Sequence, residues 1–125
     1  MSEPTNTTHP VKALFAAIDA RDAEAFAGFL ADNVVFRFGN AETVKGREGV
    51  KAAVKGFFDS IAGLRHEIRE FWVKGDTFIC HGTVTYRRHD GSELIVPFAN
   101  ILKGEGATIG EYLIFADTSA LYPPT

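Results

Sequence analysis

LRHEIREFWVK (64–74), TFICHGTVTYRR (77–88), ELIVPFANILK (93–103) and TIGEYLIFA (108–116) each change character with every residue. That period of two is the spacing of a β-strand, whose successive side chains leave opposite faces of a sheet. Between the blocks stand Gly75-Asp76, Asp90-Gly91 and Gly104-Glu105-Gly106, residues that tolerate the positive φ of tight hairpin turns. Three hairpins in succession predict an antiparallel sheet in the second half of the chain.

Upstream the period changes. Val11, Leu14, Phe15 and Ile18 recur at three and four residues, the stripe of an amphipathic helix. Asp19 to Asp22 interrupts it, and Asp22 is a good N-cap for a second helix carrying Phe26, Ala27 and Leu30. Val34 to Phe38 is a β-branched and aromatic run and reads as a strand. Helical spacing returns at Val50, Val54, Phe57, Phe58 and Ile61, from a start near Lys45 to Arg47 to a cap at Gly63. Helices first and strands last predict a segregated α+β domain over residues 11–121. Residues 1–10 are too polar for a core and read as a disordered leader, and residues 122–125, with Pro123 and Pro124, as a tail.

A chain of 125 residues holds one core and no second domain. Thirteen Lys and Arg against sixteen Asp and Glu give a net charge of −3, so no basic excess exists to neutralise phosphates and nucleic acid is not an expected partner. No apolar run, Tyr112 to Ala116 included, approaches the roughly 20 residues of a membrane span. The single Cys80 forms no internal disulfide, and with a polar rather than apolar beginning the expected location is cytoplasmic. Eleven Phe, three Tyr and one Trp are a large apolar payload for so small a domain. Some of these rings must fill the core; others can line a ligand pocket.

Three motif readings fail on spacing. His66-Glu67-Ile68-Arg69-Glu70 lacks the second histidine of a zinc-protease helix and alternates like a strand. No metal is expected there, and no cofactor elsewhere. The glycines from Gly104 to Gly110 imitate a dinucleotide fingerprint, but a strand rather than a helix follows them. Cys80 lies within a strand pattern, without the helix N-terminus that activates a thiol.

The strand from Thr77 carries Phe78, Cys80, Gly82, Val84 and Tyr86 on one face and Ile79, His81, Thr83 and Thr85 on the other. Its polar face is either solvated or part of a lined cavity. In a cavity His81 would be the candidate acid or base, since imidazole titrates near neutrality. Asn100 is an amide in an apolar strand, and it either pins backbone or contacts a ligand. The Tyr112 hydroxyl either packs toward water or donates to a substrate oxygen. Asp117, beside Thr118 and Ser119, reads as a turn cap.

Ala20-Arg21-Asp22, Ala31 to Phe36, Lys45 to Val50 and Phe115-Ala116-Asp117, in this order, resemble the nuclear transport factor 2-like superfamily in its SnoaL-like and ketosteroid isomerase-like branch. The resemblance implies a cone: a strongly curved antiparallel sheet wrapped around N-terminal helices, a cystatin-like α+β roll, often paired into homodimers through the outer sheet face. It also implies a deep apolar pocket. The carboxylates of its known reactions are missing. In the Asp-Arg-Asp relay of limonene epoxide hydrolase-like members the Arg falls on His81 and the two Asp on Thr83 and Ile114, and their water-holding residues fall near Phe36 and Phe38. The ketosteroid isomerase-like acids fall near Phe38 and on Phe98 or Ala99, and the acid of SnoaL-like cyclases falls on Ile114. The same match turns His81 and Thr83 into the cone.

On this basis the chain is expected to be a small-molecule enzyme of isomerase, cyclase or hydrolase-like acid/base chemistry, acting on a small, mainly apolar substrate. His81, Asn100 and Tyr112 are the expected catalytic groups, and Phe36, Phe38, Phe58, Thr83, Phe98 and Ile114 the expected ligand contacts. The alternative is a non-catalytic module of the same fold that binds a lipophilic ligand or dimerises.

Overall fold

The amphipathic stripes of the sequence give helices whose apolar sides are buried, the second of them only in part. The computed structural model describes residues 10–122; residues 1–9 of the leader and 123–125 of the tail lie outside the described residues. Helix α1 spans Pro10–Asp19 and buries Val11, Leu14, Phe15 and Ile18, with Pro10 in the first turn, where a missing N–H costs nothing. Helix α2, Ala23–Ala27, is capped by Asp22, whose side chain accepts from the Ala25 N–H at 3.0 Å. It is shorter than its hydrophobic period suggests. Leu30 opens strand β1, Leu30–Phe38, because the Phe29 carbonyl accepts from Ile109 N–H and Leu30 pairs with Ile109. Tertiary pairing overrides the helical spacing there.

Strand β2, Val44–Lys45, leads into helix α3, Arg47–Asp59, which buries Val50, Val54 and Phe58. Gly46 enters that helix at φ 91°, a left-handed conformation that suits glycine. The helix is capped by Ser60 rather than by Gly63, which opens strand β3, Gly63–Lys74. Strands β4 (Thr77–Arg87), β5 (Glu93–Glu105) and β6 (Thr108–Ala116) complete the sheet. The last turn is Gly106-Ala107, since Gly104 and Glu105 already pair across to Ile109 and Thr108.

The sheet order is β2-β1-β6-β5-β4-β3. The three hairpins are antiparallel, as their alternation predicts. β1 joins β6 in parallel, a pairing between distant segments that no hairpin pattern encodes. The sheet is open and, with its helices, forms the α+β cone of the nuclear transport factor 2-like fold. The core lies between the helices and the inner sheet face, where Phe78, Cys80, Val84, Tyr86, Phe98, Leu102 and Tyr112 are buried.

A register shift between Ile68 and Glu70 marks a bulge in β3. A bulge inserts one residue and exchanges the faces beyond it. Before it, Leu64, His66 and Ile68 stand opposite Tyr86, Val84 and Gly82 on the inner face; beyond it, Phe71 stacks on Phe78 at 5.5 Å and Trp72 turns outward onto His81.

Candidate active site

Between the helices and the inner sheet face lies a cavity of about 1220 Å³, above the common range of roughly 300–1000 Å³ for small-molecule sites. Much of the aromatic excess surrounds it. Phe36 and Tyr112 meet at 5.5 Å, Phe26 meets Tyr112 at 5.7 Å, Phe38 meets Phe57 at 5.1 Å, and Phe57 stands nearly perpendicular to Tyr86 at 5.7 Å. These tilted and edge-to-face contacts are the arrangement that ring quadrupoles favour. Phe36, Phe38, Phe58, Phe98 and Ile114 all line the cavity.

His81 and Thr83 do not. The expectation that they face into the cone is corrected: they sit on the outer face of β4, because the apolar set Phe78, Cys80, Val84 and Tyr86 takes the inner one. A strand offers only two faces, and burial of the larger apolar set decides between them. His81 Nε2 lies 2.9 Å from Glu70 Oε1, and its ring stacks on Trp72 at 5.8 Å.

The imidazole in the cavity is His66. The inward positions of β3 before the bulge place it between Phe15, at 5.0 Å, and Phe98, at 5.1 Å. Its Nδ1 lies 2.7 Å from Asp19 Oδ1, and its backbone N–H donates to Asp19 Oδ2 at 3.1 Å. A carboxylate oxygen accepts, so Nδ1 is the donor of this contact, and a proton held on Nδ1 leaves Nε2 as the ring nitrogen free to take another. Asp19, the last residue of α1, thus fixes both the strand and the tautomer. Neither residue stood out as catalytic in the sequence. The available signals were the alternation of Leu64, His66 and Ile68 and the four-residue step from Phe15 to Asp19, which puts ring and carboxylate on one helix face.

Asn100 and Tyr112 also line the cavity and are 2% and 1% exposed. Asn100 Oδ1 is buried with no hydrogen-bond partner among the described residues. An unpaired buried amide is costly, and its lining position makes it available to a ligand. Burial, with a smaller contribution from Cys80, pushes the Tyr112 phenol up from its ordinary value, so it remains a protonated donor at neutral pH. Burial also raises the Cys80 thiol to about 12, against a weaker opposing pull from a hydrogen bond with the Asn100 backbone. That thiol is unreactive.

Charged lining groups lie on the segments bordering the cavity. Asp117 follows β6 and accepts from Ser119 N–H at 2.9 Å, which lowers its pKa and accounts for its carboxylate as a turn cap. Alternation separates Glu67 from His66 across the sheet, and among the described residues no cluster of His, Cys, Asp and Glu could hold a metal ion. No helix among the described residues is long and apolar enough to cross a membrane.

Residues 11–111 match the SnoaL-like domain family. No curated protein matches the chain. Among solved structures, a candidate SnoaL-like polyketide cyclase from Jannaschia Sp. CCS1 aligns at TM-score 0.82 and 18% identity over 99% of both chains. A protein of ketosteroid isomerase-like fold from Catenulispora acidiphila DSM 44928, in complex with trimethylamine, aligns at TM-score 0.82 and 18% identity over 93% of this chain and 98% of its own. TerC, co-crystallised with polyporic acid, aligns at TM-score 0.76 and 21% identity over 89% of this chain and 91% of its own. At these identities the structural likeness establishes the fold alone.

Proposed function

The chain belongs to the SnoaL-like domain family, and from that premise we propose that it is a small-molecule enzyme of acid/base chemistry acting on a mainly apolar carbonyl compound in the cavity. The observation that carries this reading is the 2.7 Å contact of His66 Nδ1 with Asp19 Oδ1 in an aromatic-walled cavity. His66 Nε2 takes a proton from the carbon next to the carbonyl. The Tyr112 hydroxyl and the Nδ2 amide of Asn100 donate hydrogen bonds to the oxygen on which charge develops, in a site of low dielectric, and the unpaired Asn100 Oδ1 accepts from a donor on the ligand. Return of the proton to a different carbon is an isomerisation; attack by the enolate carbon on a second carbonyl of the same molecule, whose oxygen takes the proton back from His66, is a cyclisation. Phe36, Phe38, Phe58, Phe98 and Ile114 form the apolar wall, and His66 replaces His81 as the base.

The test needs no knowledge of the natural substrate. A panel of neutral cyclic ketones is incubated with the protein in deuterium oxide, and isotope exchange at the α-carbon is followed by mass spectrometry. His66→Gln should slow exchange by about 10²- to 10⁴-fold, with His81→Gln unaffected. Full exchange in His66→Gln would sink the proposal.

A second reading, a pocket that binds a lipophilic ligand without turnover, is favoured by one observation: the residues of β4 and β6 that line the cavity, Ile114 among them, include no carboxylate. A ligand retained by the purified wild type together with no exchange on any ketone would select it. Homodimerisation through the outer sheet face belongs to this proposal and is supported by the exposed Trp72, Ile79, Ile95 and Phe115. A cytoplasmic location belongs to it as well, supported by the single free thiol of Cys80.

A further inference from the structure

Beyond β6 the chain turns through Asp117 to Ser119 and runs along the border of the cavity, which Asp117, Thr118, Ser119 and Tyr122 help to line. One residue of this segment is fixed. Leu121 is 1% exposed, its N–H donates to the Thr118 carbonyl at 2.9 Å, and Arg88 clamps the backbone on both sides of it, Nη2 to Ala120 O and Nε to Leu121 O, each at 2.9 Å. The next residue is held differently. Tyr122 is 47% exposed, and its hydroxyl lies 2.7 Å from Ser60 Oγ, at the end of α3. Ser60 directs its own hydrogen to the Phe57 carbonyl at 2.6 Å, so Tyr122 is the donor in this pair. Burial, and after it the charge of Tyr122, pushes up the phenol of Tyr86, which lines the same cavity.

We infer that Tyr122 is a gate on the cavity, with Leu121 and its Arg88 clamp as the fixed post and the Ser60 hydroxyl as the latch. A single hydrogen bond between hydroxyls, at a half-exposed ring beside a fully buried anchor, lets the ring swing without unpacking the core. Side-chain motion of exposed residues is fast, so the latch sets how often the cavity is open. The inference concerns entry and exit only and does not depend on catalysis.

The test is stopped-flow fluorescence with the neutral probe 1-aminoanthracene, on wild type and Tyr122→Phe. The phenylalanine keeps the wall and removes the latch. A gate predicts that association and dissociation rates both rise, by roughly two- to tenfold for one lost hydrogen bond, while Kd stays within twofold. Ser60→Ala should reproduce the effect, and the double variant should add nothing to it, because both changes break one bond. Uptake by Tyr122→Phe alone would support the gate in its strongest form. Unchanged rates, a rise in dissociation alone with weakened Kd, or exclusion of the probe from both proteins would overturn it.

Discussion

A Cβ added to Gly82 would lie 1.9 Å from the carbonyl oxygen of Glu67, a backbone atom that cannot swing aside. The two residues meet where the bulge of β3 crosses β4, and their closeness lets β3 exchange faces after presenting His66 to the cavity. Gly82→Ala should therefore destabilise the protein by about 1–3 kcal/mol, as overpacking does. Gly56, in the interior of α3, has no atom within 4 Å of an added Cβ. Gly56→Ala should stabilise by about 0.4–1 kcal/mol. Urea midpoints that moved in the same direction for the two variants would contradict this reading of the bulge.

The same bulge limits what the sequence can disclose. Alternation in β4 already separated Phe78, Cys80, Val84 and Tyr86 from His81 and Thr83, and placing the apolar set inward was sufficient to predict both faces. Matching the strand without gaps to distant relatives reversed that assignment, because a slip of one residue turns every side chain over. In β3 the extra residue at the bulge carries no composition signal, so the outward turn of Trp72 was not readable. The helices, hairpins and aromatic lining follow from local spacing. The parallel union of β1 with β6 and the meeting of Asp19 with His66, 47 residues apart, are tertiary events that local spacing does not specify.

Asp19 accepts from both the ring and the backbone of His66, so its role can be divided by substitution. In Asp19→Asn the amide nitrogen can face Nδ1 as a donor, which favours the tautomer with its proton on Nε2 and removes the base. Deuterium exchange should fall as far as in His66→Gln, and the double variant should be no worse than either single one, since the two residues act as a unit. Stability should drop by about 1–2 kcal/mol with the loss of charge-assisted bonds. Full exchange in a stable Asp19→Asn protein would reduce Asp19 to a staple between α1 and β3.

Burial raises the acidic groups of Cys80, Tyr86 and Tyr112 together. A group whose pKa is higher in the folded state favours folding at pH below its unfolded value, and that contribution is lost as pH rises through the folded value. The denaturation midpoint should accordingly decline from about pH 9, where an exposed thiol begins to ionise, with the two phenols adding to the loss from about pH 10. The Cys80 thiol, shifted from 9.0 to about 12, should react with iodoacetamide at pH 8 at least about a thousandfold more slowly than a free thiol. It should become labelled on unfolding in urea. Rapid labelling of the native protein would show that the inner face of β4 is open to solvent.

Trp72 is the sole tryptophan of the chain and is 51% exposed, on the same outer face as Ile79, Ile95 and Phe115. Ala99 pairs with both His81 and Phe115, which brings the ring of Phe115 into the row of the Trp72 and His81 stack. An exposed apolar surface of this kind is what a twofold interface between identical chains buries. If two copies join here, Trp72 emission should be blue-shifted at micromolar concentration and move red on dilution. Ile95→Arg should place like charges on the joined faces and yield a monomer by sedimentation, while 1-aminoanthracene uptake persists, because Ile95 does not line the cavity. A wild-type protein that sediments at 13.6 kDa at every concentration, with an unshifted tryptophan, would leave the outer face without a second copy as its partner.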